Sequence, residues 1–221
     1  MTASPQCDTG YHQNIRSDVL PFVPKHGGTL LDLGGGMGAT ALASKERGLA
    51  DRIGVIDLVE PLSGMDFNYR GDLNDLDFLA DIGRKEGPFR TILCLDILEH
   101  LVNPWAVVAQ LHKMIEPGGV IVASIPNVRH ISVVAPLLFK SSWELQDEGI
   151  LDRTHLRFFT EASAVELMVH SGLELDLSRP LYDGGKATKL FGWMPMASLR
   201  DFAAIQYLVR VRLGNPASAT P

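Results

Sequence analysis

Short apolar runs alternate with segments of helical periodicity along most of the chain. The apolar runs cover 29–33, 52–56, 91–95 and 120–124, and glycine, proline or polar residues bound each of them. Helical patterns cover 39–47, 76–85 and 104–115, with Asn103 and Pro104 as a typical helix start. Strands that alternate with helices predict an α/β fold with a doubly wound, mostly parallel sheet.

Composition narrows the class of protein. The chain has 221 residues, of which 46% are hydrophobic, enough for one α/β domain with a large core. No apolar run reaches the roughly 18 residues that a membrane span needs, and the polar N-terminus lacks the apolar part of a signal peptide. The sequence therefore predicts a cytoplasmic protein without a membrane span.

Net charge and cysteine content argue against further classes of protein. The net charge of −6 argues against a broad nucleic-acid-binding face. Two cysteines make neither a disulfide framework nor a zinc cluster. We expect Cys94, in an apolar strand, and Cys7, in the N-terminal tail, to be ordinary thiols of a reducing compartment.

The most specific motif is Thr-Leu-Leu-Asp-Leu-Gly-Gly-Gly-Met-Gly at 29–38, which predicts a strand, a glycine turn and a helix. Glycines 34, 36 and 38 let the backbone turn sharply, so that a nucleoside-like cofactor can lie beside a helix N-terminus. Gly34, Gly36 and Ala39 also fit the dinucleotide pattern G-x-G-x-x-A. A cofactor with a pyrophosphate therefore stays open on this motif alone.

Asp32, two residues before the first glycine, distinguishes this motif from a dinucleotide-binding turn. The sequence Asp32-x-Gly34-x-Gly36 resembles the E/D-x-G-x-G signature of class I S-adenosylmethionine (SAM)-dependent methyltransferases, whose loop faces a cationic sulfonium. At position 35 many members carry cysteine or another small residue, whereas this chain has Gly35. The resemblance runs from about 30 to 160, and it implies a Rossmann-like, seven-stranded sheet with an antiparallel seventh strand.

Further segments fit the same family in order and spacing, namely 95–101, 117–120 and 124–127. Asp57, at the end of the second strand, is placed to accept both ribose hydroxyls. The remaining cofactor-binding residues implied by the resemblance are Asp72 and Leu73 beside adenine, Leu95 and Asp96 after the fourth strand, and Tyr11 and Arg16 closing over the cofactor.

The segments 126–130 and 149–160 resemble a bacterial subgroup associated with polysaccharide and secondary-metabolite biosynthesis. That resemblance implies a helix at 161–170, a sixth strand at 173–178 and a seventh at 205–213. The predicted organisation is a cofactor lid at 1–28, a methyltransferase domain at 29–214 with an acceptor lid at 126–160, and a disordered tail at 215–221, rich in Ala, Ser, Thr and Pro.

Methyl transfer to a hydroxyl requires a base, and histidine is the side chain best suited near neutral pH. His100, His130 and His155 lie in the relevant loops, and we select His100, His155 and Glu99 as catalytic residues. Two alternatives stay open. Glu99, His100 and His155 with Asp96 resemble the ligands of metal-assisted hydroxyl methyltransferases, although a divalent cation is not favoured; equally, Glu99 and His100 could only cap their loop.

The acceptor lid supplies candidate substrate contacts. Arg129 and Arg153 can bind an anionic group, and Asn127 and His130 follow the fifth strand. Apolar or sugar-stacking walls can come from four aromatic side chains: Phe139, Trp143, Phe158 and Phe159.

These observations predict an enzyme that transfers a methyl group from SAM to an oxygen, or less favourably a nitrogen, of a small molecule or glycan intermediate. Three other functions remain. They are RNA methylation, which the acidic balance disfavours, a non-catalytic SAM-binding partner subunit, and an NAD-dependent oxidoreductase. The sequence leaves the oligomeric state undetermined.

Overall fold

A computed structural model describes residues 14–25, 27–191 and 200–214. Cys7, Tyr11 and the predicted tail at 215–221 lie outside these residues. The strands are β1 Thr29–Leu33, β2 Arg52–Asp57, β3 Phe67–Arg70, β4 Phe89–Leu95, β5 Ile115–Pro126, β6 Glu174–Leu181 and β7 Gln206–Arg212. The helices are α1 Ala39–Glu46, α2 Leu76–Glu86, α3 Pro104–Met114, α4 Ile131–Lys140, α5 Glu161–Val169 and α6 Lys186–Phe191.

The seven strands form one sheet in the order β3-β2-β1-β4-β5-β7-β6. The strands from β1 to β5 pair in parallel, whereas β7 runs antiparallel to both β5 and β6. This confirms the predicted fold class and its antiparallel seventh strand. The strand order reverses between β1 and β4, and ligands of open α/β sheets bind at the carboxyl ends of the strands beside such a reversal.

Buried side chains cover both faces of the sheet, which explains why the central strands are continuous apolar runs. One core cluster packs Leu79, Leu111 and Leu167 of the helices α2, α3 and α5 against the strands. The other contains Leu20, before β1, and Leu208 of β7. Within the described residues, no helix is long and apolar enough to cross a bilayer.

The observed elements differ from the predicted ones mainly at the edges. The resemblance implied a third strand between the second and the fourth but did not place it. It is β3, in which only Phe67 of four residues is buried, and such an edge strand leaves little apolar signal. Strand β5 begins at Ile115, where the helix was expected to end. Helix α4 lies inside the predicted acceptor lid, and Thr160 caps α5 with its side chain.

Candidate active site

The glycine turn after β1 adopts backbone angles that other residues avoid. Gly34, Gly36 and Gly38 have φ angles of 71°, 58° and 82°, in the left-handed region that glycine enters without steric cost. A Cβ atom on Gly34 would lie 2.4 Å from the side chain of Ile97. Gly38 caps the N-terminus of α1. The turn therefore leaves a cradle of bare main chain beside a helix N-terminus.

Asp32 lies directly beneath this turn. A Cβ on Gly35 would be 2.3 Å from the Asp32 carboxyl carbon, so glycine is required here while Asp32 keeps its position. The carboxylate is buried and neither oxygen accepts a hydrogen bond. Burial, and then the negative charge of Asp57, raises the pKa of Asp32 to about 7. A buried acid without a partner beneath a bare backbone cradle fits a cationic cofactor.

A cleft of about 160 Å³ opens between the glycine turn and the loops after β2 and β3. Asp57 stands in its wall, where one carboxylate oxygen accepts the Gly36 N–H at 2.7 Å and the other accepts those of Leu58 and Val59 at 2.6 and 3.1 Å. A carboxylate has roughly four lone-pair positions. About one lone-pair position therefore remains free. A ribose that binds Asp57 through both hydroxyls would share an acceptor position with one of these N–H groups or displace it.

Asp72 and Leu73 line the same cleft. One oxygen of Asp72 accepts from the Asn74 backbone and side-chain nitrogens at 2.9 and 2.8 Å, and these hydrogen bonds lower the pKa of Asp72. Leu73 is buried and gives the cleft an apolar surface. An apolar surface beside an ionised acceptor suits a flat base with an amino group, and His100 completes the lining.

Arg16 joins the N-terminal segment to the carboxyl ends of the strands. It forms an ion pair with Asp96 and hydrogen bonds to Ser124 at 3.1 Å and to Gln206 at 3.0 Å. Gln206 also donates to Asp96 at 2.6 Å. Burial raises the pKa of Asp96, and Arg16 opposes that shift. Arg16 is thus placed over the end of β4, just beyond Leu95.

Glu99, His100 and His155 come together, with one ligand-type atom from each lying within 4.8 Å of the others. Glu99 and His100 belong to the short turn Leu98–His100 after β4. The Glu99 carbonyl accepts the N–H groups of Leu156 and Arg157 at 2.9 and 3.0 Å, which holds the loop of His155 against this turn. The cluster is therefore fixed by main-chain contacts.

The hydrogen bonds of His155 define its free nitrogen. Its Nδ1 lies 3.0 Å from the Ile150 carbonyl, which can only accept, so Nδ1 carries the proton. In the neutral imidazole, Nε2 then has a free lone pair, and it lies 3.9 Å from a carboxylate oxygen of Glu99. That separation exceeds a hydrogen bond and leaves Nε2 available to a proton donor.

Charge is disfavoured in the rest of this cluster. Glu99 is buried and its carboxylate accepts no hydrogen bond, and burial, followed by the charge of Asp96, raises its pKa well above the usual value. Burial, followed by His155, lowers the pKa of His100. Such a site can bind a neutral hydroxyl or a cation. Asp96, the fourth ligand of the metal hypothesis, binds Arg16 and Gln206 and is not in the group formed by Glu99, His100 and His155, so its role as a ligand stays a prediction.

Two of the predicted acceptor contacts serve the fold itself. The Asn127 amide donates to the carbonyls of Asp201 and Ala204 at 2.7 and 2.8 Å and accepts from the Arg129 N–H, and the residue is fully buried. Its assignment to substrate has no support in this geometry. His130 caps α4, because its Nδ1 accepts the Ser132 N–H at 3.3 Å; the Ser132 hydroxyl lies 2.7 Å from the same nitrogen.

The two arginines predicted to bind an anionic group of the acceptor have carboxylate partners of their own. Arg129 binds Asp201 at 2.6 Å and stacks on Phe202, whereas Arg153 is exposed and binds Asp147 at 2.8 Å. Sequence reasoning missed Asp201 and Gln206, since their partners lie far away in the chain and no local pattern marks them. Phe159 is buried as core, whereas Phe158 is exposed.

Comparisons with known proteins agree with this geometry. A family profile described as "Methyltransferase domain" matches residues 10–178. The chain is 28% identical over 215 residues to the ubiquinone biosynthesis O-methyltransferase of Xylella fastidiosa (strain 9a5c), covering 88% of this chain and 78% of that protein. It is 32% identical over 143 residues to the electron transfer flavoprotein beta subunit lysine methyltransferase of Xenopus laevis, covering 58% and 57%.

The fold matches solved methyltransferase structures. One is the Burkholderia thailandensis 1,6-didemethyltoxoflavin-N1-methyltransferase with bound 1,6-didemethyltoxoflavin and S-adenosylhomocysteine, at a TM-score of 0.59 and 18% identity, covering 94% of this chain and 82% of that one. The family profile spans most of the chain, and the glycine cradle and its acids fit the cofactor. The chain therefore belongs to the methyltransferase-domain family and is a SAM-dependent methyltransferase.

Proposed function

We propose that this enzyme methylates a hydroxyl oxygen of a small-molecule acceptor, a phenol or a glycan intermediate, and that His155 takes the hydroxyl proton. One observation carries the proposal. His100 lines the cofactor cleft and also contacts His155, whose ring centre lies 4.7 Å away. An acceptor at this cluster would therefore stand next to the cofactor.

SAM, when bound, supplies a methyl group that is already activated as an electrophile, so the protein has to align the acceptor and remove a proton. The lone pair on Nε2 of His155 receives that proton as the bond between the acceptor oxygen and the methyl carbon forms and the bond between that carbon and the donor sulfur breaks. The Ile150 carbonyl, bound to Nδ1 at 3.0 Å, orients the ring and stabilises the resulting imidazolium. Glu99, 3.9 Å from Nε2, offers a second acceptor next to the developing charge.

Two relatives point to different acceptor atoms. The ubiquinone biosynthesis O-methyltransferase of Xylella fastidiosa aligns with 88% of this chain and supports oxygen. The lysine methyltransferase of Xenopus laevis aligns with 58% and supports nitrogen. The longer alignment favours oxygen, and the free imidazole nitrogen is consistent with it, since a hydroxyl acceptor has to lose its proton.

A panel of acceptors tests this proposal. Purified enzyme is incubated with methyl-labelled SAM and a catechol, a monophenol, a sugar, a lysine-containing peptide or a short RNA. We expect label in the phenols or the sugar. Label only in the peptide or RNA would reject the oxygen proposal, and binding of S-adenosylhomocysteine without transfer to any acceptor would favour a partner subunit without catalysis.

The same assay separates the base from a bound cation. Glu99, His100 and His155 are close enough to share a divalent cation, which would lower the acceptor pKa instead. We expect activity to persist after chelation, with transfer still dependent on His155. Activity that disappears on chelation and returns with added Mg²⁺ would assign these side chains to a metal.

A further inference from the structure

The carboxyl group of Asp32 is buried in β1 among apolar side chains. Leu31 and Leu33 beside it in the strand are buried, and so are Val55 and Leu93, which pair with it in β2 and β4. Neither of its oxygens accepts a hydrogen bond. A buried carboxylate without a partner lowers stability, and the proposed methyl transfer does not use this group. The fold by itself therefore gives no reason for an acid at this position.

The groups packed around Asp32 favour its neutral form. Burial, and then the negative charge of Asp57 at the end of β2, raises the pKa of Asp32 to about 7. The Ala41 N–H of α1 opposes this shift but makes no hydrogen bond to the carboxyl group. From β4, Cys94 contributes a neutral thiol, because burial and then Asp32 raise its pKa. A further positive charge nearby would reverse this preference and ionise Asp32.

Asp32 lies beneath the cofactor cleft, separated from it by the bare backbone of the glycine turn. A Cβ on Gly35 would be 2.3 Å from the Asp32 carboxyl carbon, and Gly34 lines the cleft. Arg16, from the N-terminal segment, is bound to Asp96 instead. Since the protein interior has a lower effective dielectric constant than water, a charge in the cleft acts strongly on a buried group. The ionisation of Asp32 therefore responds to the charge of the occupant of the cleft.

The cofactor changes its charge during the reaction. SAM carries a positive sulfonium, whereas the sulfur of S-adenosylhomocysteine is a neutral thioether. The two molecules are otherwise alike, with an uncharged adenosine and an amino-acid end whose ammonium and carboxylate charges cancel. One unit of positive charge thus distinguishes the methyl donor from its product, and a buried acid under the cleft can detect that difference without touching either molecule.

We infer that Asp32 makes the enzyme select SAM over S-adenosylhomocysteine, because its carboxyl group releases a proton to water when SAM binds and keeps that proton when the product binds. Once the methyl group has left the sulfur, Asp32 and Asp57 face each other without a compensating cation, and Asp32 takes a proton back from water. The product then lacks the attraction that held the donor. This inference concerns the cofactor alone, so it does not depend on the acceptor or on His155.

The test counts the protons released when each cofactor binds, by calorimetry in two buffers of different ionisation enthalpy. Because the pKa of Asp32 is about 7, binding of SAM should release about 0.9 proton at pH 6 and about 0.1 at pH 8. S-adenosylhomocysteine should release close to none at either pH. The affinity for SAM should accordingly fall about tenfold from pH 8 to pH 6, and that for S-adenosylhomocysteine less than twofold.

Asp32→Asn separates this effect from the other titratable group of the cleft, His100, whose protonation would also repel SAM. The variant keeps the size of the side chain without a proton to release, so both the proton release and the tenfold change should disappear. Asp66→Asn is the matched control, because Asp66 is exposed and paired with Lys45. It should release as many protons as the wild type.

Equal proton counts for SAM and S-adenosylhomocysteine in the wild type would overturn the inference, and so would a count of zero for SAM at pH 6. A difference that persisted in Asp32→Asn would assign the proton to His100. If thermal melts show that Asp32→Asn does not fold, His100→Gln decides instead: proton release that persists in this variant supports Asp32, and its loss rejects Asp32. Since no acceptor is added, a failure of methyl transfer to phenols or sugars leaves this result unaffected.

Discussion

The glycine turn after β1 and the segment 127–158 both follow the carboxyl ends of parallel strands, and different parts of the chain hold them in place. Main-chain angles and backbone N–H groups shape the turn, and a Cβ on Gly34 would collide with Ile97. The segment 127–158 exposes seven large apolar side chains. A site built from backbone suits a cofactor shared by many enzymes, whereas side chains can change with the acceptor.

The largest effect is expected where the backbone cradle is filled. Gly34→Ala should abolish binding of S-adenosylhomocysteine, because the new Cβ would lie 2.4 Å from Ile97 at a φ of 71°. Gly48→Ala is the matched control, since Gly48 has a φ of 68° and nothing within 4 Å of its Cβ position. It should cost about 1–2 kcal/mol of stability and leave binding intact. Calorimetry and thermal melts measure both.

If Gly34→Ala bound the cofactor like the wild type, the cradle would not be a backbone site and the contrast between the two regions would fail.

The next effect concerns the proposed base on the acceptor side. His155→Ala should lower methyl transfer by about 10²–10⁴-fold and leave binding of S-adenosylhomocysteine unchanged. His112→Ala is the control, because His112 Nδ1 also bonds a backbone carbonyl, that of Ser171 at 2.7 Å, but on α3. Steady-state rates with the acceptor found in the panel give the answer; equal rates in the two variants would exclude His155 as the base.

A smaller effect is expected on the pH dependence of stability, through the buried carboxyl group of Asp32. The pKa of Asp32 in the folded protein is about 7, above its usual value of 3.8. Between pH 3.8 and about 7, the folded protein therefore keeps a proton on Asp32 that the unfolded chain has lost. The stability that this group contributes is present below pH 4 and is lost as pH rises through about 7. Asp32→Asn should therefore raise the melting temperature by several degrees at pH 8 and much less at pH 5.

Asp66→Asn should show a pH dependence of stability that is opposite in sign to that of Asp32→Asn. Hydrogen bonds from Lys45 and Ile53 lower the pKa of Asp66, so its contribution is present at neutral pH and is lost on acidification. This variant should melt below the wild type at pH 8 and approach it at low pH. A gain from Asp32→Asn that stayed constant across pH would mean that Asp32 is already ionised in the folded protein.

The smallest effect is expected at the rim of the acceptor side. Arg153 is exposed and its partner Asp147 more so, and such surface pairs contribute about 0–1 kcal/mol. Arg153→Ala should leave the melting temperature unchanged and raise the KM of a carboxylated catechol a few-fold, with no change for an uncharged one. An equal change for both acceptors would remove Arg153 from anion binding.

The sequence was most informative where main-chain geometry and burial act locally. Strand β1 matches the predicted 29–33, and Asn103 and Pro104 start α3 as expected. Helix α4 was not predicted, and its apolar residues Leu137–Phe139 are exposed, which no local pattern in the sequence indicates. Asn127 illustrates the same limit within the site, since its partners Asp201 and Ala204 lie more than seventy residues away in the chain.

The network around Arg16 has a consequence for the order in which the working enzyme appears during synthesis. The residues lining the cofactor cleft lie between positions 34 and 101, so they are synthesised in the first half of translation. The contacts of Arg16 and Asp96 also require Gln206, and those of Asn127 require Asp201. Gln206 and Asp201 both lie near the end of the chain. Strand β7, which lies between β5 and β6 in the sheet, is also the last of the seven strands to be synthesised. A nascent chain thus contains the walls of its nucleoside cleft well before Arg16, Asp96 and Asn127 can form their contacts with Gln206 and Asp201.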